Sequence, residues 1–125
     1  MSGERADSRP PDLRERFREY ALRIIRMYVA LPKTEVARVL GRQTLKSGTS
    51  AGAHYREASR ARSNAEFVSK IEGGLQELDE TAYWLDLLVG SGAIVQVEMR
   101  ELATETDELI SILTAIVKKV KGRDK

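Results

Sequence analysis

The stretch Ser47-Gly-Thr-Ser-Ala-Gly-Ala-His-Tyr-Arg-Glu-Ala58 decides how this chain is read. It lies inside a segment with helical periodicity, yet it is built mostly from small residues and carries two glycines. Each glycine inside a helix costs about 1 kcal/mol relative to alanine, so a compensating contact is required. Close approach of another backbone supplies one. The block therefore predicts tightly packed helices, and the rest of the chain is read outward from it.

Upstream, Thr34 is the expected N-cap of the helix that contains the block, which runs to about Ser59. Before it, Leu31-Pro32-Lys33 interrupts the pattern, because a residue preceding proline is pushed out of helical geometry. An earlier helix starts after Asp12, an N-cap residue, with Phe17, Ala21, Ile24, Tyr28 and Leu31 recurring at spacings of three and four. Downstream, Arg60 to Arg62 form a connection. Ser63 and Glu66 have the S-x-x-E form of a capping box. The third helix carries Phe67, Ile71, Leu75, Leu78, Ala82, Leu85 and Val89 on one stripe, and Gly90-Ser91-Gly92 stops it. A fourth helix presents Ile94, Val97, Leu102, Leu109, Leu113, Ile116 and Val120. Its closing lysines suit a helix C-terminus, where the macrodipole favours cations.

No strand alternation or Asn-Gly hairpin signal breaks this pattern. The fold expected is all-α, an up-down-up-down four-helix bundle over residues 12–121. Residues 1–11 are rich in Pro, Ser, Gly and charge and are expected to form a mobile tail. Residues 122–125 are expected to form a polar C-terminal tail.

At 125 residues the chain suffices for one core without staples. Cysteine is absent, which removes disulfides and thiolate metal sites and points to a reducing compartment. No apolar run reaches the roughly 20 residues of a membrane span, and the polar start is unlike a signal peptide. A cytoplasmic location with no membrane partner is the expectation. The net charge of +2 hides an asymmetry: residues 1–70 hold 15 basic against 8 acidic side chains, and residues 71–125 hold 6 against 11. Such complementary halves suit packing within the bundle, head-to-tail assembly, or a basic surface for nucleic acid.

On the second helix, the 100° advance per residue places Arg38, Arg42, Lys46, Arg56 and Arg60 on one narrow row. At 1.5 Å per residue the row is about 33 Å long and matches a phosphate backbone in charge. The plainer readings are a solvated helix face, or pairing with the acidic third and fourth helices. Roughly opposite lie Val36, Val39, Leu40, Gln43, Ser47, Ser50, His54, Ala58 and Ala61, read as the core face, whose polar members need internal hydrogen bonds if buried. A third face holds Leu45, Gly48, Gly52, Tyr55 and Ser59. Because one apolar face suffices for a bundle helix, Leu45, Gly48, Gly52 and Tyr55 are the candidate interface with a neighbouring subunit.

Catalytic constellations are missing. His54 is the only histidine, so ferritin-like Glu-x-x-His pairs cannot form, and a structural histidine is expected in place of a metal ligand. Glu57 is expected to pair with an arginine near the second connection. Without cysteine, a P-loop, or more than one histidine to serve the serines, nucleophilic and nucleotide chemistry lack their parts. Gly73-Gly74 reads as a close helix contact, and Tyr83-Trp84 as core or interface. No enzyme, cofactor or metal is expected.

The ordered blocks Leu31-Pro32-Lys33-Thr34, Val39-Leu40-Gly41-Arg42-Gln43, Ser47 to Ala53, Tyr55-Arg56-Glu57-Ala58 and Asp79-Glu80-Thr81-Ala82-Tyr83-Trp84-Leu85 resemble the four-helix bundle protein family. That family includes proteins encoded in intervening sequences of bacterial large-subunit ribosomal RNA genes. The resemblance spans about residues 13–117. It implies a left-handed bundle assembling as a ring-like homopentamer. It also implies similarity to the accessory protein of diversity-generating retroelements, a basic pentamer that binds nucleic acid and works with a reverse transcriptase. No catalytic residues come with it. Position 54 is usually asparagine in these motifs, so His54 departs from the pattern. The expected function is non-enzymatic: an oligomer binding RNA or DNA through Arg38, Arg42, Lys46, Arg56 and Arg60. The alternative is a homo-oligomeric scaffold for a protein partner.

Overall fold

The computed structural model describes residues 12–123, all of them in four helices or short connections. Helix α1 spans Leu13–Ala30, α2 Glu35–Ala58, α3 Asn64–Gly90 and α4 Gln96–Arg123. Each packs on the next in sequence, α2 against α3 most extensively, and α4 returns to α1 with the least contact. The expected tail at residues 1–11 lies outside the described residues. At the other end α4 continues through Lys121 to Arg123, past the expected boundary at residue 121, and only residues 124–125 lie outside.

Local chemistry sets the ends. The Asp12 carboxylate accepts from the Arg14 amide at 3.0 Å, the Thr34 hydroxyl from the Ala37 amide at 3.2 Å, and the Ser63 hydroxyl from the Glu66 amide at 3.0 Å. Glu66 reaches back to accept from the Arg62 amide at 2.7 Å, one residue earlier than in a standard capping box. At the end of α3 the Ala93 amide donates to the Leu88 carbonyl and the Gly92 amide to that of Val89, both at 3.0 Å. This is a Schellman closure, and Gly92 adopts the positive φ of 85° that it needs.

The core holds Phe17, Tyr20, Ile24, Ile71, Leu78, Leu85, Leu88, Leu109 and Leu113, all nearly or fully excluded from solvent. The inward row of α2 is made of small residues: Ala37, Gly41, Thr44, Ser47, Gly48, Ala51 and Ala58. This corrects the expected core face, which was turned toward Val36, Val39 and Gln43. Val36 is 55% exposed and Val39 47%, and Gln43 is also exposed. The physical reason is space. Large side chains of α1 and α3 fill the centre, so α2 turns inward the residues that let its backbone come close. Val97 of α4 is likewise exposed, and Met99 and Thr106 occupy the buried row.

The groove reserved for another subunit is also corrected. A Cβ on Gly48 would stand 2.9 Å from Ile24, and one on Gly52 3.3 Å from Phe17 Cβ, so α1 of the same chain lies against both. Tyr55 stacks on Phe17 at 5.4 Å between ring centroids, and Leu45 packs against the core. The Gly73-Gly74 expectation holds: the Ala51 carbonyl lies 3.5 Å from where a Gly74 Cβ would be.

Two buried hydroxyl pairs link helices. Ser47 and Thr81 hydroxyls meet at 2.7 Å between α2 and α3, and Tyr20 and Thr106 at 2.6 Å between α1 and α4. Ser47, Thr81 and Thr106 each donate or share with a carbonyl one turn back, so the polar core is satisfied. On the outside Arg16 grips Glu105 with two bonds of 2.8 Å and Glu108 at 2.6 Å, tying α1 to α4. Lys121 pairs with Glu72 at 3.0 Å between α4 and α3. The charge asymmetry is thus partly spent inside the bundle.

Burial raises the Tyr20 hydroxyl above its ordinary pKa, while the Thr106 hydroxyl acts in the opposite direction. The unfolded chain ionises tyrosine near pH 10. The neutral Tyr20 therefore contributes stability that is complete below about pH 10 and is lost as pH rises toward the higher folded value. In Tyr20→Phe we expect about 1 kcal/mol less stability at neutral pH from the lost hydrogen bond. We also expect a shallower decline in urea midpoint as pH rises above about 10. Parallel alkaline declines in both proteins would contradict this assignment.

Candidate nucleic-acid interface

All five cations of the α2 row, Arg38, Arg42, Lys46, Arg56 and Arg60, are exposed. Among the described residues none has a carboxylate within ion-pair distance, in contrast to Arg16, Lys70 and Lys121. Pairing with α3 and α4 therefore does not account for the row. Helical phase turns it away from α3 and toward the outer side of the α1–α2 pair.

That orientation brings in residues the sequence reading passed over. An open groove between α1 and α2 is lined by Arg14, Arg18, Thr49, Gly52, Ala53 and Arg56. Arg14 and Arg18 are both exposed, and the nearest carboxylate to Arg18 is its neighbour Glu19 at 4.0 Å. Asp12 and Glu15 also line the groove and temper its charge at the α1 start. The missing signal was the destination of Gly48 and Gly52. Once those glycines face α1, Phe17 falls beside Gly52 and Arg14 and Arg18 fall beside the Arg56 end of the row.

His54 takes a different position, on the α2–α3 seam. Its ring lies over Gly73, where a Cβ would stand 2.9 Å from Cε1 and Nδ1. Nδ1 faces Glu57 and Nε2 faces Glu77, each at 3.8 Å. The two carboxylates address different ring nitrogens, so they do not converge on one coordination point. Among the described residues no group of three acidic, histidine or cysteine side chains is placed to hold a metal ion. Glu57 pairs with Lys70 of α3 at 3.2 Å, which corrects the arginine partner expected for it.

A chain of four helices with this order of blocks matches one family over most of its length: the profile described as 23S rRNA-intervening sequence protein covers residues 12–115. The chain belongs to the 23S rRNA-intervening sequence protein family. A solved relative is a protein of unknown function from the S23 ribosomal protein family of Bacteroides thetaiotaomicron VPI-5482. It is 34% identical, with a TM-score of 0.80 over 86% of this chain and 99% of that one. Among curated proteins none matches. The likeness to that solved structure gives the fold a second, independent support. No helix among the described residues is long and apolar enough to cross a membrane.

Proposed function

We propose that this member of the 23S rRNA-intervening sequence protein family is a non-enzymatic RNA- or DNA-binding protein. Its contact surface is the basic row Arg38, Arg42, Lys46, Arg56 and Arg60, widened by Arg14 and Arg18 at the α1–α2 groove. The observation that carries the reading is that five exposed cations share one face of α2 and that none of them has an ion-pair partner among the described residues. Cations held off any internal partner remain free to displace counterions from a phosphate backbone. The family's description, which ties it to intervening sequences of 23S rRNA, supports RNA as the first polyanion to test. No aromatic side chains interleave with the row, so recognition rests on backbone charge and shape, without base stacking. Labelled RNA duplex and single strand titrated with the nuclease-treated protein at low salt should both bind. Absence of binding at low salt overturns the proposal.

Self-assembly belongs to the same proposal, as a ring of left-handed bundles with five copies. It is supported by large apolar side chains left on the surface, Val36, Val39 and Tyr83 among them. Such side chains also support the second reading, a homo-oligomeric scaffold in the cytoplasm that recruits another protein. That reading expects a protein partner retained after nuclease treatment and no affinity of the pure chain for RNA.

A further inference from the structure

The basic row of α2 is interrupted. Between Lys46 and Arg56 its face is occupied by Thr49 and Ala53. Neither offers a phosphate a donor: Ala53 has none, and the Thr49 hydroxyl turns back to donate to the Leu45 carbonyl at 2.8 Å. Ten residues at 1.5 Å each make this neutral interval about 15 Å long. The cations therefore form two groups. Arg38, Arg42 and Lys46 make the first. Arg56 and Arg60, the latter in the turn just after the helix, make the second, and Arg14 and Arg18 of α1 join it across the groove. Arg18 follows Phe17, which packs on Gly52, so it stands level with Ala53 and narrows the interval from the second group's side. The interval is also recessed, because Thr49, Gly52 and Ala53 line the open groove between α1 and α2.

Two charged banks with a neutral hollow between them select the form of the polyanion. A stacked single strand rises about 3.4 Å per nucleotide, so about four of its phosphates would cross the interval with no cation beneath them. A duplex carries its phosphates in two ridges separated by a groove. A helix laid across that groove meets charge on each bank and none in the middle. The B-form minor groove, about 6 Å wide, is narrower than the interval. The B-form major groove is about 8.5 Å deep and admits a projecting helix, whereas the middle of the α2 face is recessed. The minor groove of A-form RNA is wide and shallow, which matches this surface. We infer that the ligand is duplex RNA and that α2 lies across its minor groove. Arg38, Arg42 and Lys46 hold the phosphates of one strand, and Arg56 and Arg60 hold those of the other. Thr49 and Ala53 lie over the groove and touch no phosphate. This rests on the proposed nucleic-acid function and assigns it a substrate form.

Anisotropy titrations of the full chain, freed of nucleic acid, test it with three probes: an RNA duplex, one of its strands alone, and the DNA duplex of the same sequence. At about 0.1 M salt the RNA duplex should bind at least roughly tenfold tighter than either other probe, because only it supplies phosphates to both groups at once. The salt slope should be about −4.5 for the RNA duplex, taken at B-form charge density, and about −2 for the strand, which engages the three cations of one group. Ala53→Lys, at an exposed position, fills the interval. It should raise strand affinity about tenfold, by one phosphate contact, and leave duplex affinity within about twofold. Equal affinity for duplex and strand overturns the inference and leaves nucleic-acid binding standing. So does a strand slope near −3.5, the value for five cations tracked by one strand, or an equal gain for both probes in Ala53→Lys. A DNA duplex bound as tightly as the RNA duplex overturns the assignment to the A-form minor groove. No association of any probe at the lowest salt overturns the proposed function itself.

Discussion

Gly48→Leu is expected to abolish the cooperative native fold. A Cβ at Gly48 would meet Cγ1, Cδ1 and Cγ2 of Ile24 at 2.9, 3.0 and 3.1 Å, so all three near atoms belong to one side chain. Ile24 is fully buried and β-branched on a helix, with one strongly preferred χ1, and cannot swing aside. Even Gly48→Ala forces α1 and α2 apart. Overpacking of this kind costs about 1–3 kcal/mol, of which the better helix propensity of alanine returns about 1 kcal/mol. Leucine adds three further carbons to the same closed space, against a total stability of only about 5–15 kcal/mol for a domain of this kind. Gly122→Ala is the control, since nothing lies within 4 Å of its Cβ position, and it should shift stability by less than about 1 kcal/mol. Urea melts followed by circular dichroism would show it. A Gly48→Leu protein that melts at the native midpoint would contradict the packing of α1 on α2.

The second large effect concerns binding. Arg56→Ala/Arg60→Ala is expected to lower RNA affinity roughly 100-fold at about 0.1 M salt, from about tenfold per lost phosphate contact. It should also reduce the salt slope by about two, because each removed cation releases one fewer counterion. Both residues are exposed and outside the core, so thermal stability should be unchanged, and the loss reports contact and not unfolding. Unaltered affinity and slope in this variant would place the polyanion elsewhere.

The helix borders were legible because capping is local: Asp12, Thr34, Ser63 and Gly92 act within a few residues of themselves. So was the polar centre at Ser47, which does find a hydroxyl partner in Thr81. The facing of α2 was misread by about a quarter turn for a physical reason. Hydrophobicity weights Val36 and Val39, yet the inward row is chosen by size, and Gly41, Gly48 and Ala51 carry almost no hydrophobic signal. The same blindness moved the Gly48–Gly52 groove to a neighbouring subunit when α1 of the chain itself fills it. Tyr20 was overlooked because its burial depends on a hydroxyl partner, Thr106, 86 residues away. The basic row was legible from phase alone, whereas Arg14 and Arg18 join it only through the α1–α2 register.

The salt dependence of RNA affinity tests the central claim most directly. If all five cations of the α2 row meet phosphates, log affinity falls linearly with log salt at a slope of about −4.5 for a duplex of B-form charge density, or about 500-fold between 50 and 200 mM. A slope near zero, or no association at the lowest salt, would contradict a phosphate-reading surface on α2.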